Sequence, residues 1–83
     1  MSKQEKLLRR LAEKPSDFRW PDLVSLMTAL GYSTEKGSGS RRKFKHRVSG
    51  ARFNMHEPHP SGILKEYQVR AIIEFLVTEK HLT

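Results

Sequence analysis

Two kinds of side chain in this 83-residue sequence are suited to chemistry: a run of cations and four histidines. Between Lys36 and Arg52 lie seven basic residues, Lys36, Arg41, Arg42, Lys43, Lys45, Arg47 and Arg52, and no acid. The chain carries 16 Lys and Arg against 9 Asp and Glu, a formal net charge of +7. Outside the run the signs balance, so the excess is a local field rather than a general property. Concentrated positive charge on a small domain points first to nucleic acid, held through its phosphates. Imidazole, with an ordinary pKa of about 6.5, is the side chain suited to moving protons near neutral pH. RNA cleavage requires such movement, from the 2′-hydroxyl and to the leaving oxygen. His56 and His59 bracket Glu57-Pro58 at the end of the basic run and are the candidates for it. The alternative for His59 is a brace for the loop entering the last helix. His46 reads as a strand-edge residue and His81 as a solvated residue of the tail.

Other chemistries are poorly supplied. There are no cysteines, which excludes a disulfide framework, a thiolate metal site and a thiol nucleophile. Around His56 and His59 only Glu57 is a further ligand, and strand alternation sends it to the opposite face from His56. No metal and no cofactor are expected. The N-terminus has no apolar signal segment, and no apolar run approaches the roughly 20 residues that span a bilayer. A cytoplasmic protein without membrane contact is expected. A chain this short buries only a modest core, which favours a shallow surface site over a deep cavity.

The elements that must position these residues follow from periodicity and punctuation. Lys3 to Lys14 reads as a helix, with Leu7, Leu8 and Leu11 at helical spacing and Pro15 as its stop. Ser16 to Arg19 is a connector. Trp20-Pro21-Asp22 opens a second helix, whose apolar stripe is Leu23, Val24, Met27 and Leu30, with Gly31 just past its last turn. Tyr32 to Lys36 reads as a short strand and Gly37 to Ser40 as a turn. Arg41 to Val48 and Ala51 to His56 read as a hairpin closed near Ser49-Gly50. Alternation sends Phe44, Val48, Phe53 and Met55 to the helices. Arg41, Lys43, Lys45, Arg47, Arg52, Asn54 and His56 go to the other face. Arg42 and His46 fall among the apolar set, which requires that they reach past the sheet edge or that a bulge turn them outward. His56 and Tyr32 are the expected exposed rings. Leu64 to Glu79 is a final helix with an apolar arc wider than a thin sheet needs, which leaves part of it for the first helix or for another chain.

The order Gly31-Tyr32, Gly39-Ser40, Phe44, His59, Leu64-Lys65 and a last helix containing Ile72 resembles the HicA family, small RNA-cleaving toxins of HicA–HicB toxin–antitoxin pairs. The resemblance covers roughly residues 20–80 of a single domain spanning 1–83, with residues 1–15 as a helical extension. It implies an α+β, double-stranded-RNA-binding-domain-like fold, with a three-stranded antiparallel sheet packed against helices. The activity it implies is ribosome-independent cleavage of messenger RNA. The implied partners are RNA and a HicB-like antitoxin that covers the RNA-facing surface. In one place the chain departs from the family. Where the family has Gly-Ser-His, with that histidine taken as catalytic, this chain has Gly39-Ser40-Arg41. An arginine stays protonated and cannot serve as a base, though it can hold a phosphate or stabilise a developing charge. Two readings stay open. In one, the chain is an endoribonuclease using His59 or His56, with Arg41 as electrostatic support. In the other, it is a non-catalytic RNA-binding or protein-adaptor module. Recognition of DNA through the second helix is disfavoured, because that helix opens on Asp22 and offers no base-reading side chains in its first turns.

Overall fold

The computed structural model describes residues 2–82. The elements are α1 (Lys3–Ala12), α2 (Trp20–Ala29), β1 (Tyr32–Lys36), β2 (Arg41–His46), β3 (Arg52–His56) and α3 (Glu66–Thr78). This is the expected α+β arrangement of three helices and one antiparallel sheet in the order β1-β2-β3. The order is consistent with a double-stranded-RNA-binding-domain-like layout preceded by an extra helix.

α1 is capped by the Ser2 hydroxyl, which accepts a hydrogen bond from the Glu5 N–H at 3.2 Å. It ends at Ala12, earlier than the sequence pattern implies, because Lys14 turns into the left-handed region with φ of 55° ahead of Pro15. α2 begins beside Pro21 and buries Trp20, Leu23, Leu26 and Met27. Gly31 follows it at φ of +100°, and a Cβ there would lie 2.8 Å from the ring Nε2 of His46. Glycine is therefore required twice at this position, once by the backbone and once by the close approach of His46.

The helices pack on one face of the sheet, where Tyr32 and Phe44 are fully buried and Phe53 and Met55 are partly so. Trp20 of α2 lies 5.6 Å from Phe44, and Phe75 of α3 lies 5.1 Å from Phe53, both between ring centroids. Leu11 from α1 and Val69, Ile72 and Leu76 from α3 complete this core. The wide apolar arc of α3 is thus divided between the sheet and α1, while Val77 at its outer margin stays exposed.

Several expectations are corrected. α3 starts at Glu66 rather than Leu64, because residues before it are extended and paired with the connector. The Leu64 N–H donates to the Phe18 carbonyl and the Trp20 N–H to the Gly62 carbonyl, both at 2.8 Å. That connector is itself part of the core: Phe18 is fully buried, with the Arg10 guanidinium 5.4 Å from its ring centroid. Val48 is 91% exposed, because β2 ends at His46 and a turn takes over two residues early. Tyr32 is not an exposed ring but is wholly buried. His81 is not a solvated tail residue. Its Nε2 shares a 3.0 Å hydrogen bond with the Tyr32 hydroxyl, and its ring stacks at 6.1 Å on that of His46.

Candidate nucleic-acid interface

The register of the sheet decides which cations act together. Across β1, β2 and β3 the outward rows are Ser33–Lys45–Arg52, Glu35–Lys43–Asn54 and, at the end, Arg41–His56. Arg41, Lys45 and Arg52 are exposed on this open face and Lys43 is half-buried at its centre. Arg47 lies just beyond, in the exposed turn after β2. Among the described residues none of these five forms an ion pair.

Lys36 and Arg42 belong elsewhere. They pair with each other across β1 and β2 on the helix-facing side, with no bulge in the register. Lys36 is exposed at the strand end. The Arg42 side chain is only 13% exposed, and its Nε donates to Glu57 Oε1 at 3.0 Å. Its Nη1 donates to the carbonyls of Gly39, at 3.0 Å, and Arg41, at 2.7 Å. Arg42 therefore ties the β1–β2 turn to the segment after β3 and is not presented with the other cations. His46, the second residue in doubt, is held by its backbone surroundings. Its Nδ1 accepts from the N–H groups of Val48 and Ser49 at 3.2 and 3.1 Å, so its proton sits on Nε2, which donates to the Leu30 carbonyl at 3.1 Å. With both ring nitrogens engaged, His46 is a structural brace for the β2–β3 turn.

His56 and His59 lie at the opposite end of the sheet, each beside Ser40. His56 is the last residue of β3, and its Nδ1 shares a 2.9 Å hydrogen bond with the Ser40 hydroxyl. The Glu57 N–H donates to the Ser40 carbonyl at 2.7 Å, which locks the β1–β2 turn against the post-β3 segment. On the other side of Ser40 a small hollow of about 160 Å³ is lined by Gly39, Ser40, Arg42, Glu57 and His59. His59 is exposed and makes no side-chain hydrogen bond among the described residues. On the sheet side, a groove of about 550 Å³ is bordered by Arg41, Lys43, Asn54 and His56 together with Glu35 and Lys36. Ser40 thus hydrogen-bonds one exposed histidine, His56, and shares a hollow with a second, His59, at the edge of a cationic face. Among the described residues no cluster of three His, Asp or Glu could hold a metal ion.

Ser40, Glu57 and Gln68 shape this site although residue type alone does not single them out. Gln68 is 5% exposed. Its Oε1 accepts from the Lys65 N–H and its Nε2 donates to the His56 carbonyl, each at 2.9 Å. It caps the start of α3 and anchors the end of β3 in one stroke. The signal for Ser40 and Glu57 lies in the hairpin register: once the β2–β3 turn is placed at Arg47–Gly50, Arg41 falls opposite His56 and Ser40 beside Glu57.

No curated protein and no solved structure matches this chain. A family model does, that of the "HicA toxin of bacterial toxin-antitoxin", and it covers residues 20–76, from the first residue of α2 to near the end of α3. With more than half of its length matched, including every strand and the whole Ser40–His59 region, the chain belongs to the HicA toxin family.

Proposed function

We propose that this toxin binds RNA on the open face of its sheet and cleaves messenger RNA independently of the ribosome. The observation that supports the reading best is the juxtaposition at Ser40, where His56 and His59 flank a turn next to unpaired cations. Exposed Arg41, Lys45, Arg47 and Arg52 hold successive phosphates. One imidazole takes the proton of the 2′-hydroxyl as its oxygen attacks the adjacent phosphorus. The bond from phosphorus to the 5′ oxygen breaks, and the second imidazole gives that oxygen a proton. The products are a 2′,3′-cyclic phosphate and a 5′-hydroxyl. Arg41, paired across the strands with His56, neutralises charge on the phosphoryl oxygens. As a member of a toxin–antitoxin system the protein has an antitoxin partner, here a HicB-like protein that occupies the same face.

The test is cleavage of a mixed-sequence RNA by purified protein. General acid–base groups typically contribute about 10²–10⁴-fold, so His56→Ala and His59→Ala are each expected to lower the rate at least a hundredfold. His81→Ala, which removes a brace of Tyr32, leaves the rate per folded molecule near that of the parent. Wild-type rates in both site variants would remove these histidines from the mechanism. A second reading, RNA binding without cleavage, is favoured by Arg41 standing where the family carries histidine. RNA that is bound but never cut by the wild type decides for it.

A further inference from the structure

Glu35 is out of place on a surface that holds phosphates. It lies in the middle outward row, opposite Lys43, which in turn lies opposite Asn54. It is exposed and makes no ion pair among the described residues, even with Lys43 beside it. A carboxylate here repels every phosphate that the neighbouring cations attract, so it lowers affinity for a polyanion backbone. A carboxylate does supply two hydrogen-bond acceptors and no donor, which no other group on this face does. RNA offers such a group its 2′-hydroxyls, which are the same on every nucleotide, and the N–H edges of its bases, which alone differ from one nucleotide to the next.

Resting on the RNA-binding reading, we propose that the row Glu35–Lys43–Asn54 is a base-reading site that selects an unpaired guanine. The Watson–Crick edge of guanine presents two adjacent donors, N1–H and the N2 amino group, and then an acceptor, O6. Two carboxylate oxygens of Glu35 followed by the ammonium of Lys43 form the complementary series. Adenine presents one donor and one acceptor, cytosine one donor and two acceptors, and uracil a single donor between two acceptors. None of these satisfies both oxygens of the carboxylate. Asn54, with an amide that both donates and accepts, closes the row on the far side. The groove these three residues border, about 550 Å³, falls within the size range of small-molecule pockets, roughly 300–1,000 Å³. It therefore admits a single splayed nucleotide, the form in which single-stranded RNA exposes its base edges. The same groove is bordered by Arg41 and His56, which places the base reader next to the proposed site of cleavage.

The experiment measures binding of the full chain to four short single-stranded RNAs at one salt concentration. The four are identical except for a central G, A, C or U in a uridine-free, G-free context, and a fifth carries inosine, which lacks the N2 amino group. The G oligonucleotide is expected to bind roughly tenfold more tightly than the A oligonucleotide, the scale of one bidentate base contact, with inosine in between. Glu35→Gln, which replaces one acceptor by a donor, is expected to erase the difference between G and A. Salt-dependent binding with no preference for G, or a preference that persists in Glu35→Gln, overturns the guanine site and leaves RNA binding standing. Absence of binding to all five RNAs overturns the RNA reading itself.

Discussion

At the level of single residues, what separates the four histidines is the use made of each ring nitrogen. His46 has both engaged by backbone groups, and His81 shares a hydrogen bond with Tyr32. His56 is oriented by Ser40 through Nδ1, and His59 has no partner among the described residues. Proton transfer needs a nitrogen that substrate can reach, which leaves the latter pair. Their candidacy was legible from their place at the end of the basic run, but the role of Ser40 between them was not. Tyr32 shows the reverse: an aromatic ring read as exposed is buried beneath His46, Phe75 and His81. Burial, with the Glu79 carboxylate adding to it, raises the Tyr32 phenol above its ordinary value of 10.0. The neutral phenol is therefore favoured by folding. Its contribution is complete below the unfolded value, near 10, and is lost as pH rises through the higher folded one. Urea unfolding followed from pH 9 upward is expected to show stability falling beyond pH 10, with a shallower fall in Tyr32→Phe. Identical profiles would mean that Tyr32 does not couple folding to pH.

The elements show how far alternation can be trusted. In β1 only Tyr32 is buried and the rest of its inward set, Thr34 and Lys36, is exposed, whereas β3 follows a strict period of two in exposure, as the pattern requires. β2 obeys it too, including Arg42, which remains on the inward side because Glu57 and two carbonyls satisfy its guanidinium. An arginine on an apolar face therefore marks a specific ion pair, not a bulge. The pattern fails where the strand stops. Val48 continues the apolar series in sequence, yet His46 draws the next residues into a turn by accepting from their N–H groups. The two ends of that series should differ sharply in energy. Phe44→Ala empties a fully buried site and is expected to cost about 3–5 kcal/mol. Val48→Ala is expected to stay within about 0.5 kcal/mol, since its side chain already faces solvent. Denaturant midpoints of the two variants check this; a comparable loss in Val48→Ala would place that residue in a core after all.

For the whole molecule the governing fact is segregation. Every helix lies on one side of the sheet, and five of the seven cations of the basic run, Arg41, Lys43, Lys45, Arg47 and Arg52, lie on the other or in the turn just beyond it. Association with a polyanion is then governed by counterion release. If Arg41, Lys45, Arg47 and Arg52 each neutralise one phosphate, the logarithm of the affinity for single-stranded RNA should fall against the logarithm of salt concentration with a slope of about −3. Arg52→Gln should reduce that slope in magnitude by about 0.7. A slope near zero would mean that the open face does not carry the interaction. Among the described residues no helix is long and apolar enough to cross a membrane.

Composition and periodicity alone settle the class of fold, the number and order of its elements, the clustering of charge and the pair of histidines beside it. These are local properties, set by spacing within a dozen residues or by charge summed along a segment. Which cations share a face with which histidine is not local. It depends on where the β2–β3 turn closes, and that is fixed by His46, Gly31 and the carbonyl of Leu30, residues brought together only when α2 packs against the sheet. The alignment of Glu35, Lys43 and Asn54 in one row, and of Ser40 between His56 and His59, follows from that register. The basic segment looks like a continuous patch in one dimension. Folding splits it into an open cationic face and an inward pair, Lys36 and Arg42, of which Arg42 ties the β1–β2 turn to the segment after β3.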